Sequence, residues 1–486
     1  MRLGGKIWAL LPLAAALNVA GGWLAATLKA PLYLDSLGTI LAAALGGPWA
    51  GVGTAAISNL LSALVGGPLW LFFLPPALVV GFLAGLLARQ GFFTAPLKAA
   101  LLGLILGLAG ASCAAPIVTY ALQGASGGGT DLLIAAFRAL GWSPLQAVWA
   151  QSLASDPLDK ILTALAVQAF IASMPLSLRA SFPLGPYLGA QAPLQWNLRR
   201  SAPSSNAEPY RDLAPQWGSF YHPGASFWHK ARLSSKGLVG ALTLVIAFFW
   251  PWGVVISLPP FRAYPLIYLP AWGLALALLA WQARVLGPWL KALACTMGPL
   301  GLSMLLLNGL FGPQPQPLSW EGREILDFSL SGSWWALERC GRLGLVAAYA
   351  FWLLMTTSNR ELLNELERLG LPPRWSYALL AALNFVPHLA RRLTQIREAQ
   401  AARGLVWGRG WRSWSQWPSL LGPLLWSVLG EAQERALYLE SRGLGAAPKR
   451  SLPPPAPLST AEKIWRLALG LALLGALLYP SCKDYV

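Results

Sequence analysis

Apolar runs near or above 18 residues recur along this chain of 486 residues, and that recurrence limits its fold more than any single motif. A soluble domain of this length would carry roughly a quarter charged residues. Here only 11% are charged, 56% are hydrophobic, and the mean hydropathy is +0.52. Buried in lipid, a backbone must satisfy its own hydrogen bonds, which leaves helices or closed barrels. Runs of this length select helices, so the expected fold is an all-α polytopic membrane protein. The first run starts at Ile7 behind Arg2 and Lys6 and extends to about Leu28. No small-residue cleavage site followed by a soluble domain interrupts it, so it reads as a retained helix.

Six apolar segments fill the first third, at about 7–28, 34–46, 48–66, 69–88, 97–121 and 145–175. The second and third are short and glycine-rich, and are expected to tilt or break. Charges fall at Arg2 and Lys6, at Arg89 and Lys98, and then from Arg179 onward. With six spans, the positive-inside bias puts both ends of this region in the cytoplasm. The same bias accounts for the net charge of +17 without invoking nucleic acid as a partner. From 176 to 217 Pro, Ser, Gln and Arg dominate, a pattern expected of a loosely ordered cytoplasmic linker. The second half, 218–486, has spans at about 237–258, 264–285, 289–311 and 337–357, and a last one from Ile464 to Leu478. No repeat relates the halves. Four dispersed cysteines and three dispersed histidines (His222, His229, His388) give neither a disulfide framework nor a metal site.

Between Asn359 and Arg450 lies a segment expected to be cytoplasmic and largely helical. Its apolar stretches at 375–390 and 417–430 could dip back into the membrane. Within it, two amphipathic helical patterns, about 389–404 and 425–443, close on Ala402-Arg403-Gly404 and Ser441-Arg442-Gly443. In the first, Leu389, Leu393 and Ile396 form an apolar stripe that Ala399 and Ala402 extend. In the second, Leu425, Val428, Leu429, Ala432, Ala436 and Leu439 do so, and Glu431 can pair with Arg435 at i,i+4. Two solvated surface helices, each ended by an arginine and a glycine cap, would show the same pattern. The duplicated ending favours a pair of handles for a soluble partner.

At these residues the second half resembles the transmembrane T component of energy-coupling factor (ECF) transporters, bacterial importers of vitamins and metals. Ser226-Phe-Trp-His229-Lys-Ala-Arg232-Leu-Ser-Ser-Lys236 resembles that family's S-x-L-H-x-L-D-P-R-x-K stretch, with Ser226, His229 and Lys236 in register and the Asp-Pro absent. Leu354-Met-Thr-Thr-Ser358, Leu369-Gly-Leu-Pro-Pro373 and Asn384-Phe-Val-Pro387 resemble its middle block. The two Arg-Gly endings match its paired coupling helices, Ser441 standing where the family has Ala. Residues 1–175 more loosely resemble the six-span substrate-binding S component, through Leu34-Asp35-Ser-Leu-Gly38-Thr39 and Gly47-Pro48-Trp-Ala-Gly51. Ala16 and Ala20 resemble the small-residue motif by which S components dock. Small residues four apart let helix backbones approach closely, though alanine is common here.

What the resemblance implies is an importer subunit of the cell membrane, not an enzyme. Two separate ABC-type ATPase subunits would supply ATP and Mg, and the coupling residues would be Ala402, Arg403, Gly404, Ser441, Arg442 and Gly443. The chain itself has no GxxxxGK[ST] phosphate cradle. For a small micronutrient substrate, polar and aromatic groups toward the outer half of the first domain are the candidates: Asn18, Asp35, Asn59, Trp70 and Tyr120. Interhelical bonding for the amides, N-capping for Asp35 and the interfacial belt for the aromatics explain the same residues without a ligand. Asp156, Asp159 and Lys160 are expected to pair with one another. A membrane enzyme acting on a lipid-linked substrate would need a cluster of ionisable groups at one face. An ion-coupled secondary transporter would show an internal repeat and buried charges at mid-membrane.

Overall fold

The computed structural model describes residues 5–27, 35–122, 124–125, 130–188, 221–224, 226–249, 268–312, 316–320, 323–403, 417–441 and 459–482. In the N-terminal half, helices α1 (Gly5–Thr27), α2 (Leu37–Gly46), α3 (Pro48–Gly66), α4 (Leu74–Arg89), α5 (Pro96–Pro116) and α7 (Pro144–Ser173) fall on the six apolar segments. A short amphipathic helix, α6 (Asp131–Ala139), stands between α5 and α7. Ten residues of helix rise about 15 Å, half a hydrocarbon core, so α2 cannot cross a bilayer alone. It starts instead part-way along α1, close enough that a Cβ on Gly38 would lie 1.9 Å from the Ala14 carbonyl oxygen. Only glycine permits that approach.

The expected linker does not begin at 176. Leu176–Ala180 forms α8, a 3-10 turn follows at Gly185–Leu188, and Phe182, Leu184 and Leu188 are buried in the N-terminal core. Arg179 holds the turn, donating to the carbonyls of Met174, Leu188 and Ala172 at 2.9, 3.3 and 3.2 Å. The composition hid this because a few leucines and one arginine suffice to pin a short segment. The rest of the linker, 189–217, lies outside the described residues.

In the C-terminal half, α9 (Phe227–Lys230) and α10 (Leu233–Leu244) lead to α11 (Tyr268–Gln282), α12 (Leu286–Phe311) and α13 (Leu330–Thr356). Strands β1 (Gln316–Trp320) and β2 (Arg323–Phe328) form an antiparallel hairpin between α12 and α13, one element the apolar pattern did not announce. The chain then turns through 104° from α13 into α14 (Asn359–Arg368). It continues as α15 (Pro373–Ala402), α16 (Trp417–Ser441) and α17 (Thr460–Cys482). By length and composition, four described helical stretches can cross a membrane, or five if the bent α13–α14 pair is one span. The protein is a helical, multi-pass membrane protein.

Among the described residues, three large apolar clusters and one small one hold it together. One lies among α9, α10, α11, α13 and α17, around Trp228, Phe351 and Trp352. A second joins the halves where Val118, Ile134 and Val148 meet Leu300, Met304 and Leu343. There Ser303 donates to the Asp131 carboxylate at 2.5 Å, and Arg138 donates to the Phe311 carbonyl. The largest cluster runs through α1–α5 and α7 and takes in α15 and α16. The stretches at 375–390 and 417–430 are parts of two continuous helices that pack on α1, a helix long and apolar enough to cross a membrane. Both helices consequently start earlier than the expected 389 and 425.

Candidate functional site: the arginine-ended helices and the groups that bear on them

The predicted stripes on α15 and α16 mark the buried faces over most of their length. Leu389, Leu393, Leu425, Val428, Leu429, Ala432, Ala436 and Leu439 are all buried. At the end of α15 the stripe fails, since Ala399 and Ala402 are exposed. Ala9 of α1 packs on Ala436 and Leu439, and the Trp8 ring meets Trp375 edge-on at 5.3 Å. Phe170 of α7 meets Trp426 at 5.3 Å. Ala16 and Ala20 are buried within the same cluster. The N-terminal half thus rests directly on both arginine-ended helices.

Away from α1, α15 and α16 form a charged crossing. Arg435 donates to Glu431 at 3.0 and 2.6 Å, the i,i+4 pair expected, and its guanidinium lies over the Phe385 ring at 5.2 Å. Glu431 also faces His388 of α15 at 3.6 Å. A cleft of about 840 Å³ runs past these groups, lined also by Arg392, Glu434 and Tyr438. At the helix ends, Arg403 caps α15 through its N–H to the Gln400 carbonyl, leaving an exposed side chain, and the Ser441 hydroxyl donates to Tyr438. Gly404, Arg442 and Gly443 lie outside the described residues.

The Ser226–Lys236 stretch is tied to the α13–α14 corner. Lys236, fully buried, donates to the Thr356 carbonyl at 3.0 Å and the Thr357 hydroxyl at 2.8 Å. His229 Nε2 is 2.8 Å from the His222 carbonyl, and Nδ1 is 2.7 Å from the Ser226 hydroxyl. A carbonyl only accepts, so Nε2 carries the proton and Nδ1 accepts from Ser226. Burial holds this imidazole below its usual titration range, in keeping with a neutral ring. The His222 N–H in turn reaches the Met355 carbonyl at 3.0 Å. Nearby, Glu462 of α17 accepts from the Arg232 N–H at 3.0 Å and from Ser235, joining α17 to the start of α10.

Of the five substrate candidates, Asn18 and Asp35 both lie about the start of α2, each with its own partners. Asn18 accepts from the N–H groups of Gly38 and Thr39 at 2.6 and 3.3 Å and donates to the Thr39 hydroxyl at 2.8 Å. Asp35, just before α2, pairs with Lys160 of α7 at 3.2 Å. Lys160 also pairs with the fully buried Asp159 at 2.6 Å and donates to Ser36 at 2.9 Å. The N-cap position of α2 belongs to Ser36, so Asp35 serves as a counter-ion instead. Asn59 donates to the Ala55 carbonyl of its own helix at 3.0 Å. Trp70 and Tyr120 are 40% and 67% exposed. Lys160 and Ser36 were missing from the candidates; a lysine in the middle of an apolar run was the signal that could have found them.

The C-terminal half thus combines apolar spans with two long helices, α15 and α16, on which the N-terminal half rests. Residues 234–451 match the family model of CbiQ, cobalt transport protein. That stretch is a domain of the CbiQ family, the T components of ECF transporters, whose members are membrane components working with ATPase subunits. The match leaves residues 1–233 and 452–486 outside it. No curated protein matches the chain at a significant level.

Proposed function

We propose that this chain is a fused S and T component of an ATP-driven importer of a vitamin or similar micronutrient. The N-terminal half takes the substrate, and α15 and α16 engage a pair of ABC-type ATPases on the cytoplasmic face of the cell membrane. The observation carrying this reading is the packing of α1 and α7 on α15 and α16: movement of those helices acts on the N-terminal half without an intermediary. Arg403 and Arg442 would donate to carboxylate or carbonyl groups in a groove of each ATPase. Charge-assisted bonds in a partly desolvated groove contribute about 1.5–3 kcal/mol each. Asn18, Asp35 and Lys160 line the region offered to substrate.

The test is uptake into proteoliposomes holding the chain with two ABC-type ATPases and ATP. With Arg403→Ala and Arg442→Ala together, uptake should fall to background while substrate binding persists. Normal uptake by the double variant refutes the assignment. A second reading, ion-coupled transport, is favoured by one observation: the Lys160–Asp159 pair inside the helical body. Uptake that needs an ion gradient and ignores ATP would select it.

A further inference from the structure

Along the chain, the arginine-ended helices reach α13 and the other spanning helices of the C-terminal half by way of the corner at Thr356–Ser358, and helix ends are weak points of a lever. The last carbonyls of α13 have no partners within the helix. A cation placed there satisfies them and complements the negative end of the helix dipole. Lys236 supplies that cation from α10, reaching both sides of the break: the Thr356 carbonyl ends α13, and the Thr357 hydroxyl belongs to the turn into α14. Just beyond, Ser358 caps α14 by accepting from the Glu361 N–H at 3.2 Å.

The backbone that carries Lys236 is held in place in turn. Tyr349 of α13 donates to the Lys236 carbonyl at 3.1 Å. Its ring lies so near α10 that a Cβ on Gly240 would fall 2.5 Å from the phenol oxygen. The strap before α10 reaches the same corner through the His222 N–H and the Met355 carbonyl, with the His229–Ser226 pair fixing the strap. Three separate stretches, 222–229, 236–240 and 349–357, therefore meet where the chain turns through 104°.

We infer that Lys236 is a positioning residue for energy coupling: it locks the α13–α14 corner, so that α13 holds α15 and α16 in place and force on them passes to the N-terminal half instead of dissipating in a loose bend. This rests on the reading of α15 and α16 as coupling helices. Lys236 touches neither substrate nor nucleotide, so its loss should separate hydrolysis from transport rather than abolish either site.

The experiment has two arms on the full chain. Spin labels at Leu337→Cys and Leu369→Cys, both exposed positions, in a chain lacking its native cysteines, report the corner by distance distribution. Lys236→Met should broaden that distribution, Thr357→Val should do so less, and Lys236→Arg should keep it narrow. In the complex with ABC-type ATPases, Lys236→Met should leave ATP hydrolysis near wild type and cut substrate moved per ATP by about tenfold or more, as loss of a charged hydrogen bond allows. Lys236→Arg should restore it. If Lys236→Met does not fold, Thr357→Val carries the same comparison. An unchanged distance distribution overturns the lock, and a broadened corner with unchanged transport per ATP overturns its role in coupling. The distance arm needs no ATPase, so it stands apart from failure of the importer reading.

Discussion

The two halves treat their charges in opposite ways. In the N-terminal half, Asp159 and Lys160 are drawn inside the helical body and pair with each other, Lys160 also reaching Ser36 and the part-exposed Asp35 at its edge. On α15 and α16 the charges line an open cleft, and Arg403 at the end of α15 is exposed. Buried ion pairs are costly to break because removing one partner strands the other in a medium of low dielectric. Exposed pairs contribute little to folding and leave their hydrogen-bonding capacity for a partner. The first arrangement holds a body together; the second is suited to being gripped.

That contrast can be broken experimentally. Lys160→Met should be the most damaging single change, because it leaves the fully buried Asp159 uncompensated: a loss of about 3–5 kcal/mol, read as a fall in thermal unfolding temperature in detergent. Stability within 1 kcal/mol, about the contribution of an exposed pair, would show that the buried cluster is better hydrated than its burial indicates. Next comes the seam between the halves. Ala9→Leu adds three carbons where α1 meets Ala436 and Leu439, and overpacking of this kind costs about 1–3 kcal/mol. Cross-linking between α1 and α16 should weaken accordingly.

His229 gives a smaller effect with a definite sign. Its folded-state titration lies below the unfolded value of about 6.5, so the folded protein binds fewer protons. Its contribution to stability should be complete above that pH and be lost as pH falls through the unfolded value toward the folded one. Unfolding temperatures measured from pH 8 to pH 5 should show this decline, and His229→Gln should flatten it. Smallest of all, Glu431→Gln should change stability by less than about 1 kcal/mol, since its pair with Arg435 is part-exposed. A large loss there would mean that the crossing is structural and not a free surface.

Much of the architecture was legible because membrane helices announce themselves through long apolar runs. The buried stripe from Leu389 to Leu393, and that from Leu425 to Leu439, was legible for a similar reason: helical period fixes which side is covered. Period does not say by what. The apolar stretches at 375–390 and 417–430 turn out to belong to the parts of α15 and α16 that pack on α1, a contact that composition alone does not name. Asp35 and Lys160 lie far apart in sequence, as do Lys236 and Thr357, so their pairing could emerge only from the fold. Ser226, His229 and Lys236 stood out as residues, yet nothing local tells that Lys236 reaches the end of α13.

The central claim is that this chain transmits force supplied by another protein's nucleotide hydrolysis. The direct measurement is substrate accumulation in proteoliposomes containing the purified chain, with and without a pair of ABC-type ATPases and ATP. Accumulation that requires both the ATPases and ATP, and survives collapse of ion gradients by ionophores, is the predicted result. Accumulation by the chain alone, driven by an ion gradient, would contradict the account.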